Sequence, residues 1–441
     1  MLSHLRNWLR PAQLLVFGYA TYIVLGWLVL CLPVCWEEAS IGALDNLFMA
    51  ASAVSTTGLV TVNTPDAYSF WGELAILCLF QIGGLGYMTL GSFAVVCRGH
   101  ELSRERREMT ATAFALPEGF DATRFIFLVV CFTVCVELAG VLGLWWAFSA
   151  AGLENALWPA IFHAVSAFCT AGFSVFPDSL EQFRDDFFVN AIVSVLSLSG
   201  ALGFLVVSDV WGVVTGGRRS LCLTTRIILR FTFGAIFIVA ALLFLIEPSI
   251  TQLSPSSRLL AAWFQSMTAL TTVGFNTAPL GSFAAGATMV TVAAMLIGAS
   301  PSGTGGGIKS TSVSAAFATI RSSIRGDYDP TFHGVRVPDG RIFAAFAAIS
   351  FYLLTFTIGA TLLMLVESAP FEDLLFEAAS ALGTVGLSRG ITGDLTPVGK
   401  LTIIAMMFVG RTGPIAFAVA LASQPAGADV QSEEKEDDLA V

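Results

Sequence analysis

Eight stretches of this chain are too long and too apolar for the core of a soluble domain: 14–33, 71–97, 123–148, 187–214, 226–247, 284–320, 341–366 and 397–422. About 20 apolar residues carry a helix across a bilayer, so each is long enough to span. Between the members of each successive pair lies a shorter apolar segment, near 43–55, 157–169, 259–271 and 372–383. These are too short to cross but fit a helix that enters the membrane and turns back. The order long–short–long occurs four times.

Composition agrees with a membrane class: 55% of the 441 residues are hydrophobic, 12% are charged, and mean hydropathy is +0.78. A soluble domain carries about twice that share of charge. The net charge of −10 does not mark an acidic soluble binder, because the excess lies in loops and in the tail Glu433-Glu434-Lys435-Glu436-Asp437-Asp438. Arginines cluster at Arg6/Arg10, from Arg98 to Arg107, at Arg124, Arg218/Arg219, Arg226/Arg230, Arg321/Arg325 and Arg336/Arg341. This positive-inside pattern puts both termini and the three basic loops in the cytoplasm of a multi-pass protein of the cell inner (plasma) membrane. The first run has no clear small-x-small cleavage site and reads as a retained helix. Cys31/Cys35 and Cys131/Cys135 lack neighbouring ligands for a metal and read as packing or lipid-facing residues.

The short segments superimpose without gaps. The first reads Phe48-Met-Ala-Ala-Ser52-Ala53-Val54-Ser55-Thr56-Thr57-Gly58, and the second Phe162-His-Ala-Val-Ser166-Ala167-Phe168-Cys169-Thr170-Ala171-Gly172. The third reads Phe264-Gln-Ser-Met-Thr268-Ala269-Leu270-Thr271-Thr272-Val273-Gly274, and the fourth Phe376-Glu-Ala-Ala-Ser380-Ala381-Leu382-Gly383-Thr384-Val385-Gly386. The shared pattern is Phe-x-x-x-[Ser/Thr]-Ala-apolar-x-Thr-x-Gly, followed by Leu59, Phe173, Phe275 or Leu387. A packing motif kept after duplication explains the Phe and Ala. It does not explain Thr-x-Gly at the end of every half-length helix.

A cation crossing hydrocarbon exchanges its water for protein oxygens, and backbone carbonyls supply these without a trapping charge. An extended stretch after a short helix leaves its carbonyls free, and is tolerated at membrane depth only where it lines a watery path. Glycine permits the dihedrals and the close approach, and the short helix aims its negative end at the ion. The expected fold class is therefore an all-α membrane protein, with four membrane–pore–membrane repeats around one pore. It comprises eight transmembrane helices plus four re-entrant pore helices. The repeats divide at 1–97, 98–222, 223–330 and 331–424, with an acidic cytoplasmic tail at 425–441.

Together with the four loops, three further stretches resemble the Trk, Ktr and HKT superfamily of potassium transporters over roughly residues 10–422. They are Gln81-Ile82-Gly83-Gly84-Leu85-Gly86-Tyr87-Met88-Thr89, Pro301-Ser302-Gly303-Thr304-Gly305-Gly306-Gly307-Ile308-Lys309 and Val409-Gly410-Arg411-Thr412-Gly413-Pro414. With eight spans the chain is most like the KtrB branch. The resemblance implies an ion-translocating subunit of a potassium uptake system, with K+ as substrate ion, Na+ as activator and no covalently bound cofactor. It also implies a homodimer in the lipid bilayer, paired with a cytosolic nucleotide-binding regulatory ring of the KtrA type, and no role for nucleic acid. The selectivity filter it implies comprises Thr56, Thr57, Gly58, Thr170, Ala171, Gly172, Thr272, Val273, Gly274, Asn276, Thr384, Val385 and Gly386, whose backbone carbonyls hold K+. In the family, glycine at all four filter positions goes with potassium, and serine in the first repeat with sodium.

Four glycines and Pro301 should unwind the second span of the third repeat. The gate expected there comprises Gly303, Gly305, Gly306, Gly307 and Lys309, with Arg411 from the last span. Ile308 separates Gly307 from Lys309, so the stretch is not a phosphate loop. Lys309 either belongs to the gate or snorkels to the cytoplasm. Arg411 either projects beneath the filter or caps carbonyls structurally. Asn276 orients the third loop or caps a turn, and His163 reads as packing. Asp45, Glu154, Glu372 and Glu377 either concentrate cations at the outer mouth or are ordinary loop groups. The runner-up functions are a sodium-permeable or Trk-type relative and, from another class, a membrane enzyme. His4, His100, His163 and His333 form no protease cluster.

Overall fold

The computed structural model describes residues 11–86, 89, 122–216, 219–326, 330–332, 335–413 and 417. The basic stretch 98–107, Arg6, Arg10, Arg218, His4, His100, His333, Tyr87, Met88, Pro414 and the acidic tail lie outside the described residues. What is described is almost wholly helical. One ribbon of two-residue strands, Thr331–Phe332 with Val335–Arg336, interrupts it.

Four long helices, α1 (Pro11–Leu30), α4 (Ala122–Ala150), α8 (Leu223–Ile246) and α12 (Asp339–Val366), are each long and apolar enough to cross a membrane. Their outward faces carry exposed Phe127, Leu138, Leu142 and Trp146 on α4, Phe237, Ile238 and Leu245 on α8, and Phe343, Leu354 and Leu365 on α12. A helix apolar all round suits lipid, where its internal hydrogen bonds satisfy the whole backbone. The molecule is a multi-pass membrane protein.

After each long helix comes a short one: α2 (Ala43–Val54), α5 (Leu157–Phe168), α9 (Pro255–Thr271) and α13 (Phe371–Gly383). Each packs on the long helix before it and on the helix after it. The motif phenylalanines Phe48, Phe162, Phe264 and Phe376 are all fully buried, as are Ala53, Ala167, Ala269 and Ala381. These residues anchor the short helices in the interior.

The following helices are α3 (Phe70–Leu85), α6 (Phe187–Ala201), α10 (Ala285–Leu296) and α14 (Pro397–Thr412). Each of them stops short within its apolar stretch. Gly86, Gly203 and Gly413 take φ of 77°, 88° and 84° after α3, α6 and α14. Beyond Gly203 the chain turns by 97° into α7 (Phe204–Val214). Beyond α10 a loop runs to α11 (Ser310–Arg325). The sequence reading placed a break only in the third unit and took 187–214 as one span. Hydropathy is blind to a glycine that turns the backbone inside an apolar run. These helices run 12 to 16 residues to their breaks, about 24 Å at most, short of a hydrocarbon core of roughly 30 Å. Among the described residues four helices are therefore long and apolar enough to cross unaided, or five with the bent pair as one span.

Candidate functional site

The four short helices end on four like turns. Thr56, Thr170, Thr272 and Thr384 take left-handed backbone, with φ of 52°, 51°, 58° and 49°. A β-branched residue rarely adopts this, so four instances mark a conformation imposed by the surroundings. One residue on, the N–H groups of Thr57, Ala171, Val273 and Val385 donate to Ser52, Ser166, Thr268 and Ser380 carbonyls at 2.8–3.1 Å. The motif hydroxyls hold the next residues: Ser52 and Ser380 Oγ accept from Gly58 and Gly386 N–H, and Ser166 Oγ donates to Phe173 carbonyl. Thr268 Oγ1 has no partner.

The loops close into a ring. A Cβ on Gly58 would lie 2.4 Å from the Ala171 carbonyl oxygen, and one on Gly172 2.5 Å from that of Val273. On Gly274 it would lie 2.1 Å from Val385 carbonyl, and on Gly386 2.1 Å from Thr57 carbonyl. The order is first, second, third, fourth and back to first, and every φ at these glycines lies between 67° and 96°. No side chain fits, sterically or conformationally. Among the described residues no hydrogen bond engages the carbonyls of Thr57, Ala171, Val273, Val385 or the four glycines. The short helices bring their C-terminal, negative ends to the same place.

Further ties join neighbouring units around the rim. Trp158 Nε1 donates to Glu73 at 2.5 Å, Asn276 Nδ2 to Glu181 at 2.7 Å, and Lys400 Nζ to Asp45 at 2.7 Å. Arg389 pairs with Asp373 at 2.5 Å and donates to the carbonyls of Leu280, Gly281 and Phe283. Asn276 Nδ2 also donates to Ala278 carbonyl at 3.2 Å, so the tie to the second unit and the turn cap are both made. Burial, reinforced by nearby Asp178, pushes the Glu181 carboxyl above the usual carboxylate range. Asp45 is neutralised by Lys400, and Glu377 is buried behind the fourth loop, so neither is a free group at the mouth; Glu154 and Glu372 are exposed.

The loop between α10 and α11 lies against the ring threonines. Thr304 Oγ1 donates to Phe168 carbonyl at 3.2 Å and accepts from Thr170 Oγ1 at 3.1 Å. Gly306 N–H donates to Thr272 Oγ1 at 3.1 Å, and a Cβ on Gly306 would stand 2.2 Å from Thr384 Oγ1. Gly303 presses on Ala201 carbonyl, and Gly307, at φ 71°, on Gly298. Lys309 turns back along its own loop, Nζ donating to Gly305 carbonyl at 2.7 Å, so it does not snorkel outward. Arg411 completes the set. Its guanidinium donates to Thr56 Oγ1 at 2.9 Å, to Gly84 carbonyl at 3.3 Å, and to the carbonyls of Thr304 and Gly83. The loop and Arg411 together contact all four ring threonines.

A model of the TrkH cation transport protein family matches residues 22–431. This chain belongs to that family. Like other TrkH-family members it is a transport protein rather than an enzyme. It is 33% identical to the Ktr system potassium uptake protein B of Bacillus subtilis over 425 residues, 94% of each chain. It is 34% identical to the protein of the same name from Vibrio alginolyticus, over 89% of this chain and 87% of that one. The potassium/sodium uptake protein NtpJ of Enterococcus hirae is 29% identical, over 94% and 93%. Among solved structures, the potassium transporter TrkH of Vibrio parahaemolyticus shares the fold, with a TM-score of 0.72 and 20% identity over 92% of this chain and 83% of that one.

Three glycines have a packing role that the sequence reading did not assign: Gly83 and Gly410, quoted there only within longer motifs, and Gly200, not singled out at all. A Cβ on Gly83, Gly200 or Gly410 would lie 2.0–2.1 Å from the carbonyl of Val54, Phe168 or Leu382, each two residues before a ring threonine. They let α3, α6 and α14 approach the ends of the short helices. Their signal was present: each stands three residues before a break glycine, Gly86, Gly203 or Gly413. Arg411 follows Gly410 at the position held by Gly84 and Ala201.

Proposed function

We propose that this chain is the ion-translocating subunit of a potassium uptake system. The observation that carries the reading is the closed ring of four Thr-x-Gly loops, in which each glycine abuts its neighbour's carbonyl and the carbonyls accept no hydrogen bond. In this reading K+ sheds water onto carbonyls of Thr56, Thr57, Gly58, Thr170, Ala171, Gly172, Thr272, Val273, Gly274, Thr384, Val385 and Gly386. Asn276 positions the third strand. The chain folds as four membrane–pore–membrane repeats with eight crossings and both termini cytoplasmic, the second crossing of each repeat being interrupted.

The loop carrying Gly303, Gly305, Gly306 and Gly307, with Lys309 and Arg411, is the gate, here in its closed position against the ring. Arg411 also sets a positive charge in the cation path. The similarity to two Ktr system potassium uptake proteins supports potassium, and their belonging to a system supports operation with other components. We read those components as a second copy of this chain and a cytosolic nucleotide-binding ring, with Na+ stimulating transport.

Growth at low potassium of cells lacking their own uptake systems tests this, with and without a co-expressed regulatory subunit. Rescue with saturable rubidium uptake, lost in Gly274→Ser, is the expected result. No rescue despite confirmed membrane expression would move sodium to the front, a substrate that the name of NtpJ includes.

A further inference from the structure

The position after the motif phenylalanine differs in all four units: Met49, His163, Gln265 and Glu377. In three units it does one job. Glu377 Oε1 accepts from Arg389 N–H at 3.2 Å and from Ser388 Oγ, and its other oxygen accepts from Thr392 Oγ1 at 3.0 Å. With the Gln265 amide assigned so that its oxygen faces the two backbone donors beside it, that oxygen accepts from the N–H groups of Thr277 at 2.8 Å and Ala278 at 3.1 Å. His163 places Nδ1 2.7 Å from Pro159 carbonyl, which can only accept, so Nδ1 carries the proton. Nε2 of the neutral ring then accepts from Ser174 Oγ at 2.9 Å, and that oxygen accepts from Phe176 N–H.

Ser174 and Ser388 stand two residues beyond the ring glycine, and Thr277 and Arg389 three. In each case a buried acceptor on the short helix clasps the strand just outside the ring. The first unit has no such acceptor. Met49 is fully buried, and a thioether accepts weakly. Thr61, which stands three residues beyond Gly58 as Thr277 does beyond Gly274, has a buried hydroxyl with no partner.

We propose that His163, Gln265 and Glu377 are positioning residues that fix the spacing of the ring, and that the first loop is its unclasped, compliant quarter. This rests on the reading of the four loops as an ion filter and adds the determinants of its stiffness. On the size-fit account of selectivity, a filter prefers one ion over a smaller one as far as its oxygens resist closing on the smaller. Discrimination is then limited by the first loop. Adding a clasp there raises it, and removing one elsewhere lowers it.

The test is rubidium uptake competed by sodium, normalised to protein in the membrane. Gln265→Met, similar in length but without the acceptor, is expected to lower discrimination about threefold or more, the scale of one net hydrogen bond. Gln265→Glu keeps the acceptor and restores it. Met49→Gln raises discrimination with uptake preserved. Wild-type discrimination in Gln265→Met overturns the proposal. Should that variant fail to reach the membrane, Met49→Gln decides alone, and unchanged discrimination there overturns it too. Gly274→Ser is the control: if it leaves both uptake and discrimination at wild-type values, the filter reading itself fails, whereas loss of uptake or of discrimination there with no effect in the clasp variants sinks the clasp alone.

Discussion

Arg411→Gln is the perturbation that most directly probes the closed loop. Of the four acceptors of the guanidinium, Gly83 and Gly84 belong to α3 and Thr56 to the ring; Thr304 alone belongs to the loop. Displacing the loop breaks the Thr304 bond and leaves the others. A hydrogen bond to a charged group contributes roughly 1.5–3 kcal/mol net. Its loss shifts the balance between closed and displaced loop by about tenfold to a hundredfold. Removing the charge also lowers the barrier to a cation in the same place. Both effects act in one direction. Purified protein in proteoliposomes, without any regulatory subunit, should take up radioactive rubidium at least about tenfold faster than wild type if the loop limits the rate. Arg411→Lys keeps the charge and loses the fork, and should fall between. A well-folded Arg411→Gln protein with wild-type or slower uptake would refute the gate assignment.

Gly410→Ala should fold poorly, because its Cβ would stand 2.1 Å from Leu382 carbonyl, where ordinary contact begins at 3.4 Å; relief by helix displacement costs about 1–3 kcal/mol, read as a lower melting temperature in detergent. Gly234→Ala, in α8 with nothing within 4 Å of the added carbon, should instead stabilise by about 1 kcal/mol. Glu181→Gln tests the rim. Burial raises the folded pKa of this carboxyl, so the folded state binds more protons and wild-type stability falls as pH rises from the ordinary carboxylate value through the raised one. The amide keeps an acceptor for Asn276, so the variant should gain on wild type over that window and hold the gain above it; a pH-independent difference in melting temperature would contradict this.

Membrane class and the four loops were legible because both are local. Twenty apolar residues or an eleven-residue motif announce themselves without knowledge of neighbours. The break after α6 was not legible, since Leu202-Gly203 adds nothing to a hydropathy sum while Gly203 takes φ 88°. His163 was read as packing because an imidazole in an apolar helix gives no sign of a serine eleven residues on that meets its ring. Glu377 reads from sequence as a group that concentrates cations at the mouth or as an ordinary loop group because carboxylates are ordinarily solvated, and only burial behind the fourth loop turns it into a brace.

By itself the sequence determined that the chain lives in a membrane, that it carries four copies of one turn, and that each turn needs a residue without a side chain. These follow from transfer free energy and backbone sterics, which act over a few residues. The tertiary structure alone decided which loop abuts which, that the ring closes from Gly386 onto Thr57, and that Arg411 reaches Thr56 across 355 residues of chain. Such contacts join groups with no common local signal. They exist because helix packing brings four chain segments together, and there the loop from the third unit meets the threonines of the second, third and fourth while Arg411 meets that of the first.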